Sequence, residues 1–207
     1  MAKGAFITIE GTEGVGKSTS VAFIRKYFES KGQKIVVTRE PGGTHLGERI
    51  REWVLQSKPG SLAADTEILL MYAARAHHVH KVIRPALASG AWVICDRFTD
   101  ATDAYQGAGR GTDGKLLQEL DEIVLHGLKP DLTLLLDAPL AIGFNRIRNR
   151  ALDHFEKEDR VFFERVRERY LEIAAAEPQR VKVIDAAQTE EDVQRSLRIA
   201  LENFAHG

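Results

Sequence analysis

The sequence has only one cysteine, Cys95, so no intrachain disulfide can form and a reducing compartment is expected. It also lacks an excess of either charge. Its 29 Lys and Arg face 30 Asp and Glu. That balance argues against a general binder of nucleic acid, which carries a clear basic excess, while leaving room for a local basic pocket. Long apolar runs are missing too. "LTLLL" at 132–136 is far too short to span a bilayer, and "MAKGAFITIEG" has no signal-peptide core. No repeat, low-complexity stretch or inter-domain linker interrupts the chain. What remains is a soluble, cytoplasmic globular protein, expected to form one domain over its 207 residues.

What the sequence does contain is an alternation of short β-branched runs and helical periodicities. Strands are expected at "AFITIE" (5–10), "KIVVT" (34–38), "WVICD" (92–96), "DLTLLLD" (131–137) and "VKVID" (181–185). Helices are expected over 17–31, 45–57, 64–88, 114–126, 139–150, 159–176 and 189–204, the last with Thr189 as N-cap. A loop is expected between the third strand and 114. The alternation implies an α/β fold with a five-stranded parallel sheet covered on both faces. Ligands then bind beyond the carboxyl ends of the strands, which directs attention to 11–19, 39–44, 96–111 and 137–160.

Gly11, Gly16, Lys17 and Ser18 fit G-x-x-x-x-G-K-[ST] between an expected strand and an expected helix. The glycines let N–H groups converge on phosphate, and the helix N-terminus adds its positive end. Lys17 supplies a mobile charge, and the Ser18 hydroxyl suits Mg²⁺. The segment Gly11, Thr12, Glu13, Gly14, Val15, Gly16, Lys17, Ser18 and Thr19 is the expected ATP-binding loop. Its glutamate is unusual in a phosphate cradle. Two strand-end acids, Asp96 and Asp137, compete for a metal-holding role, with Asp96 favoured by the adjacent Arg97. No guanine-reading N-K-x-D stretch occurs, which excludes a GTPase switch. Arginines in the expected sheet-top loops suit a nucleoside-monophosphate kinase, whose chemistry is positioning and charge stabilisation.

"EGTEGVGKST" (10–19), "TREPGGT" (38–44), "YAARAHH" (72–78), "DRF" (96–98), "AYQGAGRG" (104–111) and "PDLTLLLD" (130–137), with the arginine-bearing stretch 146–160, resemble the bacterial type of thymidylate kinase over nearly the whole chain. The resemblance implies the P-loop nucleoside-monophosphate-kinase fold, a short lid at about 146–158, and transfer of the ATP γ-phosphoryl group to dTMP with Mg²⁺. The product, dTDP, feeds dTTP and DNA precursor synthesis. The resemblance further implies a homodimer packed through helices. It implies that Glu13 accepts a hydrogen bond from the sugar 3′-hydroxyl, that Arg39 and Arg97 contact phosphate, and that Pro41 follows a cis bond. Arg75 contacts the acceptor by its base, Thr102 reads the base edge, and Tyr105 fills the space of a 2′-hydroxyl. Met71 stands where many relatives place an aromatic ring, either under the base or simply in the core. Ala101 and Asp103 depart from residues common in the family. Lid arginines match Arg146, Arg148 and Arg150. Helical geometry puts Arg146 and Arg150 on one face, so Arg150, assisted by Arg146, is the expected arginine finger in a chain that has His154 where relatives often add another arginine.

Other readings are a kinase for another pyrimidine monophosphate and a phosphate-loop regulator that transfers nothing. "HHVH" (77–80) resembles a metal cluster but has no acidic or cysteine partner at local spacing, so polar, half-buried helix positions are expected there. Cys95, inside an expected buried strand, is expected to be inert.

Overall fold

The computed structural model describes residues 4–57, 61–148 and 158–206. Five parallel strands form one sheet: β1 (Phe6–Glu10), β2 (Ile35–Arg39), β3 (Trp92–Asp96), β4 (Leu132–Asp137) and β5 (Val181–Asp185), in the spatial order β2-β3-β1-β4-β5. β1 lies at the centre and every one of its residues is buried, which accounts for the β-branched and aromatic run Phe6–Ile9 that precedes Glu10. Even its threonine is satisfied internally, Thr8 Oγ1 lying 2.7 Å from Thr133 Oγ1. The register aligns Ile9 with Asp96 and Asp96 with Arg39, so three strand ends open onto one edge.

The helices are α1 (Lys17–Glu29), α2 (His45–Gln56), α3 (Ala64–His78), α4 (Arg84–Ala88), α5 (Thr99–Thr102), α6 (Gly114–Leu125), α7 (Leu140–Ile147), α8 (Arg160–Ala176) and α9 (Glu190–His206). The largest buried cluster places Ile24 and Phe28 of α1 and Leu197 and Leu201 of α9 against Ile7, Ile9, Leu134 and Leu136 of the sheet. Caps set several starts: Thr44 accepts from Gly47 N, Asp159 from Phe162 N, and Thr189 from Asp192 N at 3.3 Å.

Two sequence expectations need correction. The helix expected over 64–88 contains a π-helical turn, Val79–Ile83, between α3 and α4. The loop expected after β3 is helical instead: α5 runs into a second π-helical turn, Asp103–Gly109. Its glycines misled the reading because they serve packing rather than looping. A Cβ at Gly109 would lie 2.5 Å from the Phe162 ring of α8. The wider turn carries Tyr105 and Gln106, in keeping with the habit of π-turns to sit at functional positions. The helix expected over 139–150 is seen as Leu140–Ile147, and most of the expected lid, residues 149–157, lies outside the described residues.

The phosphate loop and α7 meet backbone to backbone. A Cβ at Gly143 would stand 2.3 Å from Glu13 O, and one at Gly14 would stand 2.1 Å from Gly143 O. Gly143→Ala therefore overpacks this contact and is expected to lower Tm by roughly 5 °C or more. Gly114→Ala, at a helix position with nothing within 4 Å of the new methyl, is expected to leave Tm unchanged or slightly raised. Thermal unfolding of the two variants checks the contact, because helix propensity alone would raise both.

Candidate active site

β1 stops where the chain must turn sharply. Gly11 has φ 134°, and a Cβ there would lie 2.3 Å from Leu136 O. Gly16, at φ 92°, ends the loop as the N-cap of α1, which has no side-chain cap and no acid in its first turn. The first N–H groups of α1 are thus left to an anion. Lys17 Nζ donates to Gly11 O at 2.9 Å and Thr12 O at 2.7 Å. Burial and nearby Arg97 bring its pKa down to about 8, against the attraction of Glu13, Asp96 and Glu10.

Glu13, Gly14, Gly16, Lys17, Ser18 and Thr19 line a cavity of about 570 Å³. Gly11, Thr12 and Val15 are buried and do not line it, with Val15 in the main core. The same cavity is lined by Pro41, Met71, Arg75, Asp96, Arg97, Thr102, Tyr105 and Arg146. The structure therefore brings together most of the residues singled out from the sequence.

Arg97 is the centre of this arrangement. Its backbone is left-handed, at φ 69°. Three contacts hold it so: Arg97 N donates to Ile9 O, Cys95 Sγ donates to Arg97 O, and Phe98 N donates to Glu10 Oε1 at 2.7 Å. Its Nη2 donates to Glu13 Oε1 at 2.8 Å, and the guanidinium stacks on the Tyr105 ring at 4.6 Å. Tyr105 OH also points at Glu13, 2.7 and 2.8 Å from its two oxygens. Beneath Arg97, Glu10 accepts from Tyr170 OH at 2.8 Å. Burial, with Asp100 adding to it, raises Glu10 to about 7, against Arg97 and the bonds from Tyr170 and Phe98. Burial also pushes the Tyr105 phenol up, so it remains a donor.

The two competing strand-end acids separate cleanly. Asp96 Oδ1 is buried and, among the described residues, has no hydrogen-bond partner. Asp137 is held by Arg167 through two bonds of 2.7 and 2.8 Å. Cys95 is fully buried and its thiol pKa is raised by that burial.

At the far end the Glu40–Pro41 bond is cis, as expected. Arg75 is buried. Its Nε donates to Glu40 Oε2 and its Nη2 to Thr102 Oγ1, both at 2.7 Å. Met71 is both buried and cavity-lining, so its two readings describe one position. Arg39 is not brought into the cavity. Its side chain is 51% exposed and donates to Glu48 Oε2 at 2.7 Å, while Glu48 is itself anchored by Gly43 N. Arg51 of α2 lines the cavity, with Nη1 donating to Pro41 O at 3.2 Å. Sequence reasoning missed Arg51, although a signal existed. It falls four residues after Gly47 and three before Val54, both buried, so a charge stands on the inner stripe of the helix. Asp103 pairs with Arg169 through two bonds and does not line the cavity, whereas Gln106 does. Arg146 Nη1 donates to Ala186 O at 3.0 Å and Gly14 O at 3.4 Å. Arg148 is exposed, and Arg150 and His154 lie outside the described residues.

Of the "HHVH" histidines, His77 is half-buried as expected, but His80 is exposed and His78 is fully buried, the second of these corrections being taken up below. Among the described residues no group of three or more His, Cys, Asp or Glu could hold a metal ion by itself, and no helix is long and apolar enough to cross a membrane.

Residues 9–197 match the family model described as thymidylate kinase. The chain is 52% identical over 195 residues to a thymidylate kinase of Pseudomonas syringae pv. syringae, covering 94% of this chain and 93% of that one. It is 49% identical over 208 residues to a thymidylate kinase of Methylococcus capsulatus, covering 100% and 99%. A crystal structure of thymidylate kinase from Ehrlichia chaffeensis superposes with a TM-score of 0.79 at 32% identity, over 97% of this chain and 99% of that one. A phosphate loop, a parallel sheet in the order β2-β3-β1-β4-β5 and an arginine-lined second end of the same cavity thus coincide with full-length similarity, and the chain belongs to the thymidylate kinase family.

Proposed function

We propose that this protein is an ATP-dependent kinase that transfers the γ-phosphoryl group of ATP to dTMP, giving dTDP and ADP for dTTP and DNA precursor synthesis in the cytoplasm. One observation carries the reading: the phosphate loop and Arg51, Arg75, Arg97 and Tyr105 line a single cavity. A nucleotide switch needs room for one polyphosphate. Here a second set of cations stands opposite the first, as transfer between two nucleotides requires.

In this reading the α1 N-terminus and Lys17 hold the donor phosphates. Asp96, with a buried oxygen lacking any partner, and Ser18, exposed at the start of α1, suit a hydrated divalent cation, and they would hold Mg²⁺. The ion when bound supplies charge neutralisation at the transferring phosphoryl group. Arg97 and Arg51 hold the acceptor phosphate in line, and Arg51 takes the part expected of Arg39. An oxygen of the dTMP phosphate attacks the γ-phosphorus as the bond to the β,γ-bridging oxygen breaks, and ADP leaves. Arg75, Thr102 and Met71 receive the base. Glu13 takes the 3′-hydroxyl, and the Tyr105 ring closes the space beside C2′. Arg150, which lies outside the described residues, assisted by Arg146, remains our proposed arginine finger. A single kinase domain is the organisation this requires.

The proposed homodimer has a candidate face. α2, α3 and α6 pack side by side and carry Trp53 (55% exposed), Leu69 (59%) and Ile123 (66%) on their outer sides. Three large apolar side chains on adjoining helices suit a helix-packed partner surface.

A coupled assay of ADP formation tests the function. With Mg²⁺-ATP, dTMP is expected to be used well and dGMP poorly, and dUMP roughly 10- to 200-fold less efficiently than dTMP for the loss of one methyl contact. Equal efficiency with dTMP and dCMP would refute the acceptor assignment.

The lowered Lys17 pKa gives a second expectation. At pH 8 free Lys17 is about half protonated, and ATP phosphates beside it restore the proton. ATP binding without metal at pH 8 should take up roughly half a proton, and affinity should fall as pH rises further. Calorimetry in buffers of different ionisation enthalpy measures this, and no uptake would mean that Lys17 does not meet the phosphates.

The Tyr105 assignment separates ring from hydroxyl. Tyr105→Ala opens the space beside C2′ and is expected to raise the use of ribothymidine monophosphate relative to dTMP about 10-fold or more. Tyr105→Phe keeps the ring and should keep the discrimination, while losing the bond to Glu13. Competition assays with the two acceptors decide it.

A further inference from the structure

His78 is 0% exposed, so both ring nitrogens must find partners inside the protein. Nδ1 lies 2.9 Å from Glu40 Oε1, and Nε2 lies 2.6 Å from Thr38 Oγ1. A carboxylate only accepts, so Nδ1 carries the hydrogen, and in the neutral ring Nε2 accepts from the Thr38 hydroxyl. The second Glu40 oxygen accepts from Arg75 Nε. Arg75 then donates through Nη2 to Thr102 Oγ1 and, at 3.1 Å, to Phe98 O. The "REPGGT" turn is closed down over this chain: a Cβ at Gly43, which has φ 73°, would lie 2.4 Å from both His78 Nε2 and Thr38 Oγ1.

The consequence falls on Glu40. It lines the same cavity as Arg75 and Thr102, and each of its oxygens already accepts one bond, from Arg75 and from His78, so the carboxylate is held in one orientation. Thr102 gives a lone pair to Arg75, so its hydroxyl hydrogen is free to be donated. Arg75 Nη1 is buried and has no partner among the described residues, so the guanidinium keeps one unused donor. The Thr102 hydroxyl is thus a donor on this wall, and the Glu40 carboxylate beside it is fixed in orientation.

We propose that His78 is a specificity-determining positioning residue, which holds the Glu40 carboxylate turned to itself and to Arg75 and so makes the Glu40–Arg75–Thr102 wall select an acceptor base with a carbonyl where cytosine carries an amino group. Without His78, Glu40 has an unengaged oxygen that accepts from that amino group, and Arg75 loses the fixed carboxylate that orients it. The inference rests on the dTMP-kinase reading and names a determinant of its base choice.

Steady-state kinetics with dTMP and dCMP at saturating Mg²⁺-ATP test it, using three variants of the full chain. His78→Phe keeps a ring and removes both nitrogens. It is expected to lower the dTMP-over-dCMP preference in kcat/KM about 10-fold or more, chiefly through KM for the acceptor, with KM for ATP unchanged. His78→Asn places an amide N–H near the position of Nδ1 and is expected to restore most of that preference, which a purely structural role would not do. Thr38→Val, which removes only the hydroxyl orienting the ring, is expected to shift the preference in the same direction by less, and it carries the test if His78→Phe does not fold. The proposal is overturned if the preference stays within about twofold of wild type in His78→Phe or, failing that variant, in Thr38→Val. It is equally overturned if His78→Asn loses as much as His78→Phe. Wild-type protein using both acceptors alike would overturn the acceptor reading itself and the proposal with it, whereas wild-type discrimination that survives in the variants counts against His78 alone.

Discussion

Everything at the sheet's carboxyl edge depends on how Arg97 is held. A non-glycine residue at φ 69° costs on the order of 1–3 kcal/mol, so it persists only where its surroundings over-determine it. Ile9 O, the Cys95 thiol and, through Phe98 N, the buried Glu10 carboxylate do this from three directions. Two of them come from β1 and one from β3, so the pairing of Ile9 with Asp96 sets the direction in which the guanidinium leaves the sheet. Its stacking on Tyr105 and its bond to Glu13 follow from that direction. The single cysteine thus contributes by its position and a weak hydrogen bond, and burial keeps the thiol protonated.

A site for two phosphorylated molecules must concentrate cations without unfolding itself. Lys17, Arg51, Arg75, Arg97 and Arg146 line one cavity, and their repulsion is visible: Arg97 contributes to lowering both Lys17 and Arg51, after burial. The acids among them are distributed to offset this. Glu13 is paired with Arg97, and Glu40 with Arg75. Of the acids lining the cavity among the described residues, Asp96 keeps a buried oxygen without a partner. Burying a carboxylate oxygen without a hydrogen bond costs stability, and retaining one beside the phosphate loop makes sense where a cation is part of the working assembly.

Much of this was legible in the sequence, because strand ends and glycine patterns are local. The phosphate loop and the five strands could be placed from short stretches alone, and Glu13, Arg97 and Tyr105 were singled out through the family resemblance. What escaped depends on contacts between distant segments. Asp96 and Asp137 look alike as strand-end acids, and only Arg167, thirty residues beyond Asp137, separates them. Arg39 sits in the expected motif, but Glu48, nine residues on, captures it, while Arg51 was concealed as one more charge on a charged helix. The π-helical turn at 103–109 reads as a loop until Phe162 of α8 explains why glycine stands at 109. His78 looked like one of several polar helix residues because Thr38 and Glu40, its partners, lie forty and thirty-eight residues away.

The glutamate inside the phosphate loop follows from the loop having two sides. Gly16, Lys17 and the uncapped N-terminus of α1 belong to an anion site. The Glu13 side chain turns the other way, to Arg97 and Tyr105. Its carbonyl lies against Gly143, so the loop crest cannot slide relative to α7 without breaking a backbone contact. An acid at this point is therefore held away from the phosphate cradle by rigid packing, and its charge is spent on the arginine that would otherwise stand unpaired in a half-buried site. When a phosphate takes Arg97 in the proposed reaction, Glu13 is released to accept from a hydroxyl. In the proposed reaction the same residue first balances Arg97 and then recognises the acceptor. A neutral residue there could do neither, because it would leave Arg97 pressing its charge on Lys17, whose pKa is already depressed.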